Sequence, residues 1–414
     1  MTGYAVVLAV AAGTTLLLTP IVRWLALHFG AVVEPGERRM HAIPVATLGG
    51  AAMFVGFLAA ISVASRMSQF HEMFRDNSEP FGVVLAAGVM FVVGALDDLR
   101  DVSPPAKVAG QVFSASLLAL FGVTMFYFRI PFLDVVVLSQ DLAPLVTVLW
   151  VVLLAQAINL IDGLDGLAAG IVAIGGSALF LFADRLFKAG YLDGSNIAPL
   201  IAIIAVGMCV GFLPFNFNPA RIIMGDAGAL LLGLMLAVPT ITIGGRTDVQ
   251  FSGNTYFFFA PLVIPLVILG VPLVDTVFSF VRRVVRGRSF SVADKDHLHH
   301  RLVRLGHGPR RAVMILWAWT ALLSGVALLP TYTKQGNAVV PFALAAVVLV
   351  LYILFHPGVR GARGRAGRGR HRHPAASLTA EADESGESAE SDVSDSEPED
   401  VAVVELAHHR RKHA

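Results

Sequence analysis

The sequence predicts an all-α integral membrane protein of about eleven transmembrane helices, followed by a disordered tail. Three observations carry that expectation. Of 414 residues, 56% are hydrophobic and only 15% charged, with a mean hydropathy of +0.71; a soluble chain carries about 25% charged residues. Apolar runs long enough to cross a bilayer as helices recur up to residue 356. From Pro357 onward the composition changes abruptly, first to Gly and Arg, then to Ser, Glu and Asp.

Taken in order, the predicted spans are 4–27, 47–65, 81–96, 107–127, 142–159, 165–184, 197–215, 227–243, 255–281, 312–330 and 338–356. The first lacks a basic leader and stays apolar to about His28, so it reads as a retained span rather than a cleaved signal. An odd number of spans puts the termini on opposite sides. Loops on one side hold twenty Lys/Arg and those on the other hold seven. The richer side is cytoplasmic, which leaves the N-terminus outside and the C-terminus inside. The lone Cys209 lies in an apolar run and reads as a small core residue. The chain thus divides into a transmembrane domain, 1–356, and a cytoplasmic tail, 357–414. The tail's Arg360–Arg372 tract stops translocation and touches anionic headgroups. Residues 374–400 are too polar to fold, and His408–His413 is a solvated basic end. There is no inverted repeat of the kind that marks many transporters.

Every polar cluster with chemical potential falls on the cytoplasmic side, which points to one composite site. Asn159–Ala168 ends an apolar run with Asp162 and Asp165, three residues apart and each followed by glycine. A helix would put both acids on one face, and acids there are costly unless they face water, a partner or a cation. Asp97, Asp98 and Asp101 end the third span; on a helix Asp97 and Asp101 share a face and Asp98 sits about 100° away. A divalent cation, Lys107 or Arg100 would neutralise them; a solvated acidic helix end is the plain alternative. Asp226, between Gly225 and Ala227-Gly228, starts an apolar helix. It reads equally as a helix N-cap and as an acid holding Mg²⁺ beside phosphate-binding amides. Asn216 and Asn218 suit either a base or ribose or a turn. In Asp296–Leu302, three histidines lack the acid or Cys of a familiar zinc spacing. With Arg301 beside them they suit an oxyanion, or else form a basic lipid-facing loop. Arg38, Arg39 and His41 reach a phosphate or act only as topology signals. A face both basic and acid-rich fits phosphoryl transfer, which needs charge neutralisation and in-line positioning.

Four motifs stand in order: Asp97-Asp98-x-x-Asp101, Asn159-x-x-Asp162-Gly-x-Asp165-Gly, Met224-Gly-Asp226-x-Gly and His297-x-His299-His300-Arg301. This set resembles the polyprenyl-phosphate N-acetylhexosamine-1-phosphate transferases, relatives of phospho-MurNAc-pentapeptide translocase, over residues 1 to 356. The resemblance implies transfer of a sugar-1-phosphate from a UDP-sugar to a polyprenyl phosphate in the cell membrane, with Mg²⁺ (Mn²⁺ substituting) and release of UMP. By position it implies Asp97, Asp98 and Asp162 as catalytic acids, and Asp226 with Asp98 as metal ligands. Asn159, Asp165, Asn216, His297, His299, His300 and Arg301 would serve the sugar nucleotide, and Lys107 and Arg39 the lipid phosphate. His-x-His-His-Arg and eleven spans resemble the GlcNAc branch, so UDP-GlcNAc is the expected donor and a cell-wall or surface glycopolymer the expected product line. UDP-MurNAc-pentapeptide or another UDP-HexNAc is the alternative donor. Membrane lipids are further expected partners, a homodimer is compatible, and nucleic acid is not expected. A cation-coupled transporter, the rival class, would place its acids near mid-bilayer rather than at span ends.

Overall fold

In hydrocarbon every backbone N–H and C=O must pair within the chain, so apolar runs of this length fold as helices. A computed structural model describes residues 2–33, 44–75, 77–129, 135–244, 266–267, 269–285, 301–303, 305–333 and 336–355. Its helices are α1 (Thr2–His28), α2 (Gly49–Ala64), α3 (His71–Phe74), α4 (Glu79–Arg100), α5 (Pro104–Leu120) and α6 (Leu142–Ile161), then α7 (Leu167–Lys188), α8 (Ala198–Asn216), α9 (Gly225–Gly244), α10 (Gly270–Val285), α11 (Pro309–Thr333) and α12 (Val340–Phe355). Two small antiparallel hairpins pair β1 (Val32–Val33) with β2 (Val45–Ala46), and β3 (Tyr127–Arg129) with β4 (Val135–Val137). The described residues lie in one compact unit, Met1–Arg365; the expected disordered tail lies outside them.

Each of the eleven expected segments holds a helix, but the helices differ in reach. Among the described residues, seven are long and apolar enough to cross a membrane: α1, α4, α6, α7, α8, α9 and α11. Gly49–Ala64 and Ser68–Phe74 form a pair bent by 90°, an eighth span if the two count as one. Helices α5, α10 and α12 have 17, 16 and 16 residues. At about 1.5 Å per residue, the described part of each is shorter than a hydrocarbon core about 30 Å thick. The segment expected at 107–127 ends early, because the chain leaves the helix at Phe121-Gly122 and enters β3. The chain is therefore an all-α, multi-pass membrane protein.

Helix α9 lies at the centre. Every residue from Ala227 to Gly244 is buried, as expected for a helix apolar on all sides, and α2, α4, α6 and α8 pack around it. Helix α4 approaches it tightly at Gly94, where a Cβ would lie 2.5 Å from the Ala227 Cα and from the Asp226 carbonyl carbon. This contact brings the acidic end of α4 over the start of α9. A short backbone ladder adds α2: Ile223 N–H donates to Ala46 O at 3.0 Å, Gly49 N–H to Ile223 O at 3.0 Å, and Gly50 N–H to Met224 O at 2.9 Å. The C-terminal ends of α4, α6 and α8 and the N-terminal ends of α2, α5 and α9 thus meet at one end of the bundle.

Gly94→Ala should overpack the α4–α9 contact, where only backbone atoms face the new methyl. Overpacking of this kind costs about 1–3 kcal/mol. The expected result is a thermal midpoint several degrees lower in detergent; an unchanged midpoint would show that α4 and α9 are not this close.

Candidate active site

The site is built on the first turn of α9. Gly225 has φ +68 and opens the helix, and a Cβ there would lie 2.3 Å from a carboxylate oxygen of Asp98. Glycine is required both for the backbone conformation and for the space. Asp98 uses that space to accept two amides, from Asp226 N–H at 2.8 Å and from Ala227 N–H at 3.1 Å. A carboxylate at a helix N-terminus is favoured by the unpaired amides and by the helix dipole. The N-cap function left open for Asp226 therefore belongs to an acid from another helix. The Asp226 side chain points on into the site.

Two groups converge on Asp226. Asn159, in the last turn of α6, donates its Nδ2 to Asp226 Oδ2 at 3.1 Å. Lys107, in the first turn of α5, forms an ion pair with the same oxygen and a second one, at 3.0 Å, with Asp97 Oδ2. Asp97 Oδ1 accepts the Val102 amide at 2.9 Å, which closes the turn between α4 and α5. Asp101 lies beyond the helix, with φ 48, so it does not share the face of Asp97 as a continued helix would have required. Pro104 and Pro105 start α5 and bring Lys107 straight back to the acids.

Asp162 and Asp165 depart from the sequence expectation in an informative way. Helix α6 ends at Ile161, Asp162 is its C-cap, and Gly166 has φ +78, so the two acids lie in a turn rather than on one helix face. Their surroundings differ sharply. Asp165 is 7% exposed, and its Oδ2 accepts Asn218 Nδ2 at 2.8 Å and the Ala220 amide at 3.0 Å. It pins the α8–α9 loop to the α6–α7 turn. Asn216, 2% exposed, does the same in reverse: its Oδ1 accepts the Gly166 amide at 3.0 Å and its Nδ2 donates to Ile222 O at 3.0 Å. Both ends of that amide are thus engaged within the protein. Asp162 is half-buried. Burial, then the charges of Asp98 and Asp165, push its carboxyl up to about 7.

Arg310, in the first turn of α11, donates Nε to Asn218 O at 3.0 Å and to Asn218 Oδ1 at 3.2 Å. Trp317 on the same helix donates its indole N–H to Leu167 O at 3.4 Å. These contacts bring the N-terminal end of α11 to the same end of the bundle. The sequence carried no local signal for either residue, since both lie in or beside an apolar run. Arg301 is exposed. Arg39, His297, His299 and His300 lie outside the described residues.

The donor set consists of carboxylate and amide oxygens. Among the described residues, no three His, Cys, Asp or Glu side chains could enclose a metal unaided. Mg²⁺ needs no such cage, since it is usually held by one or two carboxylates, waters and substrate phosphates. Asp226, with its Oδ1 outside the bonds above, and the partly exposed Asp162 fit that demand. Asp98 has one amide on each oxygen and keeps a second lone pair on each.

Residues 80–244 match the model of glycosyl transferase family 4. The chain is 35% identical over 349 residues to decaprenyl-phosphate N-acetylglucosaminephosphotransferase of Mycolicibacterium smegmatis, covering 83% of this chain and 86% of that protein. It belongs to the polyprenyl-phosphate N-acetylhexosamine-1-phosphate transferase family. A Bacillus subtilis relative, described as "Probable undecaprenyl-phosphate N-acetylglucosaminyl 1-phosphate transferase", is 34% identical over 305 residues, 73% of this chain and 78% of its own length. Phospho-N-acetylmuramoyl-pentapeptide-transferase of Clostridioides difficile is 28% identical over 298 residues, 69% of this chain and 83% of its own.

The raised pKa of Asp162 has a defined sign. The folded protein holds this proton more tightly than the unfolded chain, so the contribution favours folding at low pH and is lost as pH rises through about 7. In EDTA, the thermal midpoint should fall between about pH 5 and pH 7, and Asp162→Asn should make that slope shallower. The same slope in the variant would remove Asp162 as its source.

Proposed function

We propose that the protein transfers GlcNAc-1-phosphate from UDP-GlcNAc to a membrane polyprenyl phosphate, starting a lipid-linked cell-wall or surface glycopolymer. One observation carries the reading: Lys107, Asn159 and Asp98, from three helices, converge on Asp226 at the start of α9. They do so in a chain whose relatives are named for this transfer to decaprenyl or undecaprenyl phosphate. The similarity is higher to those relatives than to the pentapeptide transferase, 35% and 34% against 28%, which favours UDP-GlcNAc over UDP-MurNAc-pentapeptide. Acids at helix ends, rather than at mid-bilayer, speak against a cation-coupled transporter.

In this reading an oxygen of the lipid phosphate attacks the β-phosphorus of UDP-GlcNAc. A new P–O bond forms, the bond to the α-phosphate oxygen breaks, and UMP leaves with that electron pair. Asp97 orients the attacking phosphate or takes its proton. Lys107 holds Asp97 and Asp226 together and offers positive charge to the entering phosphate. Asp226 and Asp98 would hold Mg²⁺, which neutralises diphosphate charge when bound, and Asp162 is a further acid beside Asp98. Asp165 and Asn216 keep the surrounding turns in place, and the exposed Arg301 borders the loop assigned to the sugar nucleotide. The same reading takes the bent α2 segment and, with flanking residues, the shorter α5, α10 and α12 as crossing too, which gives eleven spans, the N-terminus outside, and the site on the cytoplasmic face of the cell membrane. The excess of Lys/Arg on that side supports the orientation.

The test incubates purified protein with polyprenyl phosphate, Mg²⁺ and labelled UDP-GlcNAc, UDP-GalNAc or UDP-MurNAc-pentapeptide. Lipid-linked label from UDP-GlcNAc with release of UMP is expected, and no lipid product from any donor would end the proposal. Asp226→Asn should lower kcat about a hundred- to a thousandfold while the protein stays folded, as for loss of a group that stabilises transition-state charge. Wild-type turnover in that variant would take Asp226 out of the site.

A further inference from the structure

One turn beneath the ion pairs, a buried amide and a half-buried one meet between the two helices that carry Lys107 and Asn159. Gln111 follows Lys107 by four residues on α5, and Gln156 precedes Asn159 by three on α6. Each therefore lies on the same helix face as its functional neighbour. Gln156 Nε2 donates to Gln111 Oε1 at 3.2 Å. Gln111 is fully buried, and its Nε2 has no hydrogen-bond partner. The next polar residue along the buried face of α5, Ser114, donates to Ala86 O of α4 at 2.7 Å. Helix α5 is thus tied by side chains to α6 and to α4, the helices that carry Asn159 and Asp97.

Packing alone does not account for this arrangement. Two leucines would fill similar volumes without leaving a buried donor unpaired, and an unpaired donor is costly. A directional bond at this depth does what an apolar contact cannot, since it sets the height and rotation of one helix against another. Lys107 gains most from such a constraint. Its flexible stem must hold the ammonium between Asp97 and Asp226, so a small rotation of α5 would move the charge from one acid to the other.

We propose that Gln111 and Gln156 are positioning residues for the transfer reaction, holding α5 in the register that puts Lys107 between Asp97 and Asp226. The inference rests on the proposed transferase reading and adds a part for two residues that touch neither substrate.

The test is the double variant Gln111→Leu/Gln156→Leu, which removes both amides and leaves no orphan. Its thermal midpoint should equal or exceed that of wild type. Its kcat should fall at least about tenfold, with KM for the sugar nucleotide within twofold of wild type. In a Lys107→Arg background, the same double substitution should change kcat less than twofold, because the group it positions is already displaced. Wild-type kcat in the double variant would overturn the inference, as would a loss that multiplies independently with Lys107→Arg. Should the leucine pair fail to fold, Gln111→Asn, which keeps an amide but shortens its reach, is put through the same cycle and judged by the same two outcomes. An inactive wild type would count against the transferase reading itself; an active wild type with indifferent variants would count against this inference alone.

Discussion

The structure at this end of the bundle depends on one interaction, the grip of Asp98 on the first amides of α9. The start of a fully buried helix leaves N–H groups unpaired in a setting poor in water, and each would be costly to leave so. Asp98 satisfies two of them from a neighbouring helix. The cap therefore also fixes the distance between α4 and α9 and turns the Asp226 side chain toward Lys107 and Asn159. Gly94 and Gly225 are the space this grip requires, one for the backbones to approach and one for the carboxylate to enter.

The division of labour among the five acids follows. Asp98 and Asp165 spend their oxygens on backbone amides or on Asn218 and hold the elements together. Asp97 and Asp226 share Lys107. Asp162 is half-buried, and burial with the charges of Asp98 and Asp165 pushes its carboxyl up to about 7.

Much of this was legible in the sequence, and the limits are physical. Apolar runs showed where helices lie, because hydrocarbon leaves the backbone no alternative, and the first three motifs marked the end at which polar chemistry gathers. What each acid does was less legible. The spacing of Asp162 and Asp165 suggested one helix face, but Gly163 and Gly166 allow a turn, in which one acid becomes a brace and the other stays available. Asp226 looked like its own helix cap; no local pattern shows that an acid 128 positions earlier takes that part. Gln111, Gln156 and Arg310 carry no motif at all, since their importance arises only when α5 meets α6 and α11 meets the α8–α9 loop. Span number was the other weak point: hydropathy locates apolar helices, but it does not show that a helix of 16 residues crosses.

The central claim is that the first turn of α9, held open by Gly225 and gripped by Asp98, is where diphosphate and cation meet. Equilibrium binding of UDP-GlcNAc to the purified protein, with and without Mg²⁺, tests it most directly when wild type is compared with Gly225→Ala. The account predicts Mg²⁺-dependent binding in wild type and at least a tenfold weaker, Mg²⁺-insensitive binding in the folded variant. Equal binding by both proteins, with or without Mg²⁺, would contradict it.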